Sequence, residues 1–181
     1  MKRDSILLIW VRGLGLGVFG NVLGGIMTVS LAPFLAEWFI PYIAILFTAF
    51  IYASLLFTAG LKDGQKEAKL LRSHRVESTP KARWIYLGLG IGVVMCVPCA
   101  ALLGVALGAF TMTGEILLGS YFVIGAFAPT LFMIDTQNMP VFYPMILMAL
   151  YLVLSAVSAQ IGYKFGIDEK SFRDFMYEKE K

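Results

Sequence analysis

From Gly13 to Leu61, and again from Trp84 to Tyr163, the chain contains no lysine or arginine, and the only acids in those stretches are Glu37, Glu115 and Asp135. Histidine occurs once, at His74, and cysteine twice, at Cys96 and Cys99. Each scarcity excludes something. Two cysteines three apart cannot form the disulfide framework of a small secreted domain. A single histidine leaves no HExxH zinc site, and no GxSxG nucleophile elbow is present. The shortage of charge excludes a water-soluble domain: 15% of residues are charged and 59% apolar, against about 25% and 45–50% in soluble domains. Mean hydropathy is +0.77.

What is present is a series of long apolar windows. Four lack any charge in their interior: Gly13 to Ala36, extended backwards by Ile6 to Val11 across Arg12; Trp38 to Leu61; Trp84 to Gly114; and Thr136 to Tyr163. At about 1.5 Å per helical residue, each exceeds the roughly 20 residues that cross a bilayer's hydrocarbon. A fifth window, Ile116 to Ile134, is interrupted by Gly119, Ser120, Gly125, Pro129 and Thr130. Met1-Lys2-Arg3 resembles the basic start of a signal peptide. Arg12 breaks the run behind it, and Pro33 follows Ser30-Leu31-Ala32, so we read an uncleaved first helix.

The fifteen basic residues fall in three groups: Lys2, Arg3 and Arg12; Lys62 through Arg83; and Lys164 through Lys181. Basic residues collect in short cytoplasmic loops. Four spans place all fifteen on that side, whereas five would export the last group. The expected fold is therefore all-α, a polytopic transmembrane helix bundle in the cell membrane with both termini cytoplasmic. Residues 1–181 form one domain with helices at about 6–34, 38–61, 84–109 and 141–163. A cytoplasmic basic loop covers 62–83, and an outer segment covers 110–140, with Ile116 to Ile134 re-entrant or interfacial. The tail, 164–181, carries Phe172, Phe175 and Met176 at helical spacing among charges and reads as a short amphipathic helix on the membrane surface.

The halves of the chain resemble each other. Trp10 precedes Gly13, Gly15 and Gly17, as Trp84 precedes Gly88, Gly90 and Gly92. Pro41 opens a window ending Gly60-Leu-Lys62, as Pro144 opens one ending Gly162-Tyr-Lys164. Two parallel helical hairpins are the expectation.

Lipid is as apolar as leucine, so such helices associate by close packing, which glycine permits. Gly13, Gly17, Gly20 and Gly24 form one stripe. Gly88, Gly92, Cys96 and Cys99 form another, and Gly104 and Gly108 follow four apart. All are expected packing positions, and leucine at Gly17 or Gly92 is expected to harm more than leucine at Gly64 in the basic loop. Gly15-Leu-Gly17-Val-Phe-Gly20 matches the dinucleotide fingerprint, but that motif has meaning only between a strand and a helix. It carries none here.

Three polar features remain as candidate sites. Cys96-Val-Pro-Cys99 places two thiols on one helix side beside a proline, a pair for packing or for dithiol–disulfide exchange, although no second pair completes a relay. Arg12 is positioned to snorkel to the headgroups or contact a lipid, while Asn21 lies deeper as interhelical glue or part of a polar path. Glu37, Glu115 and Asp135, with Gln137 and Asn138, mark the outer side, as ordinary loop and cap residues or as a cation-attracting mouth. No catalytic residue, metal site or cofactor is assigned. The expected partners are the bilayer itself, with anionic headgroups at the cytoplasmic basic loop, and a second copy or another membrane protein, not nucleic acid. The function read from these features is a non-enzymatic membrane component assembling through glycine-rich helix faces. A small-solute or ion transporter or channel is the second reading, and a thiol redox protein using Cys96 and Cys99 the third.

Overall fold

The computed structural model describes residues 4–35, 39–75, 78–80, 82–109, 111, 113–135 and 138–168. Its elements are α1 (Ile6–Leu31), continued by a 3-10 turn at Ala32–Phe34; α2 (Ile40–Arg72); α3 (Arg83–Ala106); α4 (Gly114–Val123); a 3-10 segment, Gly125–Phe132; and α5 (Phe142–Ile167). The chain is all-helical, and α1, α2, α3 and α5 are long and apolar enough to cross a membrane. The surface agrees with that reading. Leu46 is 73% exposed, Phe50 68% and Val97 67%, an apolar exterior that a soluble monomer does not display.

Helix ends follow local chemistry. Ser5 caps α1 by accepting the Leu8 N–H at 3.3 Å, and Pro41 stands in the first turn of α2, where its missing N–H costs nothing. The boundary expected at Leu61 is wrong. α2 continues to Arg72, 33 residues in all or about 50 Å, so half of the expected basic loop is helix. Residues 62–72 are mostly strong helix formers, with Lys69 and Arg72 in the last turn where the helix dipole favours cations. The helix stops at His74, which adopts φ 50°. There the His74 N–H bonds Leu71 O and the Arg75 N–H bonds Leu70 O, the two bonds of a Schellman ending. The sole histidine terminates a helix. α3 ends at Ala106, short of the boundary expected at Ala109, and α5 runs past Tyr163 to Ile167. The expected amphipathic tail beyond Asp168 lies outside the described residues.

α1 and α3 run the same way: Gly13 meets Trp84 and Ile91, and Gly17 meets Ile91 and Met95. α2 and α5 run together in the opposite sense, in the most extensive contact of the bundle. A Cβ on Gly60 would strike Ala159 O, one on Gly64 Tyr163 O, one on Gly162 Phe57 O and one on Gly166 Leu61 O. Two GxxxG pairs thus interlock, backbone on backbone. The similarity of the halves has a spatial counterpart in α1 and α3, where Trp84 packs on Gly13 while Trp10 packs on Gly90.

The interrupted window is re-entrant. α4 enters from the end of the bundle opposite the basic residues, descends along α1 past Gly25, and turns at Ile124. The 3-10 segment returns between α1 and α2. Neither piece could cross a bilayer alone.

Candidate functional site

The turn of the re-entrant hairpin leaves backbone groups without helical partners deep in the bundle, where no water compensates them. Side chains from three long helices supply the bonds. Asn21, 3% exposed, donates from Nδ2 to Val123 O at 2.9 Å and towards Met95 Sδ at 3.4 Å. Its Oδ1 accepts the Ala126 N–H at 3.1 Å and the Tyr151 hydroxyl at 2.9 Å. Those four contacts use the whole bonding capacity of a carboxamide. Thr48 of α2 donates to Ala126 O at 2.7 Å. Glycine makes this approach possible: a Cβ on Gly24 would meet Gly125 O, and one on Gly125 would meet Asn21 O.

Below this node the Tyr52 and Ser155 hydroxyls are 2.8 Å apart, and Tyr151 makes edge-to-face contacts with Tyr52 and Phe127 at centroid distances of 5.5 and 4.9 Å. Above it, Thr130 and Tyr143 share a short hydroxyl contact. A ladder of paired polar groups therefore runs along α5, through Ser155, Tyr151 and Tyr143. The cleft that reaches Asn21 is apolar. About 410 Å³ in volume, it opens sideways between α1, α3 and α4, lined by Val18, Val22, Val94, Val97, Pro98 and Phe122 among others.

The glycine stripes face inward. Gly20 lies against Tyr52 and Leu55, Gly88 against Ser155 and Ala156, and Gly92 against Tyr151 and Leu152. Gly108 is a correction: it is no packing residue. It has φ 74°, nothing among the described residues lies within 4 Å of an added Cβ, and it ends α3 by donating to Val105 O while the Ala109 N–H bonds Gly104 O. Gly64 is another, because it is buried at the α2–α5 contact rather than placed in a loop.

Both cysteines are free thiols. Cys96 donates to Met148 O at 3.5 Å, and buried Cys99 contacts its own helix at Met95 O, 3.9 Å away. They extend the stripe towards α5. Replacing both by alanine is expected to leave the fold intact at a cost of at most ~1–2 kcal/mol, and native Cys99 should react slowly with maleimide. Rapid labelling, together with loss of folded protein in the double variant, would contradict the packing role.

Arg12 is exposed on α1, in keeping with snorkelling. Glu115 and Asp135 are exposed at the far end, Asp135 accepting from Asn138 at 2.8 Å, whereas Glu37 and Gln137 lie outside the described residues. Among the described residues no group of three or more His, Cys, Asp or Glu is placed to hold a metal ion.

No known protein family, curated protein or solved structure matches the chain.

A second polar centre, missed in the sequence, lies at the basic end. Asp63, Glu67 and Arg83 are all buried. Arg83 Nη1 donates to Glu67 Oε1 at 2.7 Å and stands 3.7 Å from Asp63 Oδ2. Trp84 Nε1 donates to the same Asp63 oxygen at 2.9 Å. Beside it Lys66 pairs with Asp4, and this hydrogen bond holds the Asp4 carboxyl below the ordinary carboxylate range. The available signal was the spacing of Asp63 and Glu67, one turn apart, which is legible only once α2 is known to continue.

Proposed function

We propose that this protein is a non-enzymatic component of the cell membrane, both termini cytoplasmic, that works by lateral association with a second copy or another membrane protein. The observation that carries this reading is the pairing of the polar groups in the bundle's middle. Asn21, Thr48, Tyr52, Tyr151 and Ser155 are bonded to one another or to the re-entrant backbone, and the cleft beside them opens to the side and is apolar. Because the glycine stripes are occupied within the chain, association falls to other surfaces. The sideways cleft, with Val18 on one wall and Val97 on the other, is the natural place.

A photo-crosslinking residue at Val18 or Val97 should give a discrete protein adduct in the membrane, while one at Ile146, on the outside of α5, should not. Equal adducts at all three positions would remove the cleft from the account. Reporters after Lys181 and near His74 should both read cytoplasm.

A transporter is the second reading, favoured by the polar ladder along α5. It predicts saturable solute uptake into liposomes holding the purified protein, abolished by Tyr52→Phe. Our reading expects flux no greater than that of empty liposomes.

A further inference from the structure

The outward side of α1 carries a repeat. Leu8, Gly15, Val22 and Val29 recur every seven residues along it, with Val11 and Val18 between them, and all six are exposed. A seven-residue spacing keeps one helix face against a second, nearly parallel helix. Gly15 belongs to neither interior stripe. A Cβ there would meet nothing among the described residues within 4 Å, so no internal contact calls for glycine, which weakens a helix interior relative to alanine. Facing lipid, a glycine lets another backbone come close.

Independent of that repeat are a knob and a hole at one depth. Phe19 is 51% exposed. The apolar cleft of about 410 Å³ is lined on α1 by Val18, Asn21 and Val22, which bracket Phe19 in the chain, and on α3 by Val94 and Val97 among others. At 3.6 residues per turn Phe19 lies about 60° to one side of Val22, and Val18 lies about 40° to the other, towards the cleft. Two copies inserted the same way are related by a two-fold axis along the bilayer normal, which pairs surfaces of equal depth. With Gly15 and Val22 at that axis, the half-turn sets the Phe19 flank of each α1 against the cleft flank of the other. Each phenyl ring then meets a hole at its own depth. Arg12, seven residues before Phe19, shares its flank, so the two guanidinium groups fall on opposite sides of the axis.

We propose that the occupant of the cleft is a second copy of this chain, the two paired through parallel α1 helices with Phe19 of each in the cleft of the other. This rests on the reading of lateral association and names its partner.

The test is disulfide trapping of the full-length protein in its membrane, in the Cys96→Ala/Cys99→Ala background. Gly15→Cys and Val22→Cys, at the axis, should each give a covalent dimer under mild oxidation, and Val153→Cys, on the exposed side of α5, should not. Phe19→Ala and Gly15→Leu change residues that the single chain leaves exposed, so both should melt like the native protein. Each should weaken pairing roughly tenfold, read as energy transfer between labelled copies diluted with lipid in vesicles. Trapping through Val153→Cys as readily as through Val22→Cys, or pairing unchanged in both variants, would overturn the α1 contact. Photo-adducts at Val18 with the mass of a different protein would keep lateral association and overturn the second copy. No protein adduct at Val18 or Val97 would overturn both.

Discussion

Replacing Gly162 by leucine is expected to destroy the folded bundle, lowering stability by more than about 3 kcal/mol, the upper part of the range for overpacking. The new Cβ would clash with Phe57 O and crowd Phe57 Cα at 3.0 Å. Backbone cannot step aside as a flexible side chain can, so α2 and α5 must separate. Gly60→Leu should act similarly, because its Cβ would meet Ala159 O and, at 2.9 Å, the Tyr163 N. Gly17→Leu should be milder, since its nearest neighbours are the side-chain ends of Met95 and Ile91 at 3.3 and 3.4 Å. Gly15→Leu should be nearly silent, with nothing within 4 Å of the added carbon. Thermal melts in detergent, with size-exclusion profiles, would rank the four. A Gly162→Leu protein that melts with Gly15→Leu would refute the interlocked α2–α5 contact.

Asn21→Leu should release the re-entrant hairpin while α1, α2, α3 and α5 stay together. Leucine keeps the volume but strips partners from Val123 O, the Ala126 N–H and the Tyr151 hydroxyl. Each buried group left unmatched costs about 1–3 kcal/mol, which together exceeds what a short α4 and a 3-10 segment can resist. Hydrogen exchange over residues 117–132 should rise by orders of magnitude, with that of 151–163 little changed. Unaltered exchange over 117–132 would mean that packing through Gly24, Gly25 and Gly125 holds the hairpin without the asparagine.

The amino-acid sequence alone determined the helical class, the four long apolar segments and the interrupted fifth, because each depends on local composition measured against bilayer thickness. Stripe positions such as Gly13, Gly17 and Gly92 were legible too, since spacing of three and four residues places them on one helix face whatever the partner. Asn21 stood out as a polar group in an apolar run. That it bonds residues more than 100 positions away, at the turn of the hairpin, was decided by tertiary structure. The same holds where charge misled. Hydropathy ends a helix at Lys62, but α2 continues because Asp63, Gly64 and Glu67 find an indole, the α5 backbone and a guanidinium to bury against. Gly60, Gly64, Gly162 and Gly166 became a backbone-on-backbone contact for that reason, and Gly108, with the right spacing, became a helix terminator. Spacing says which residues share a face; only the fold says whether another backbone lies against it.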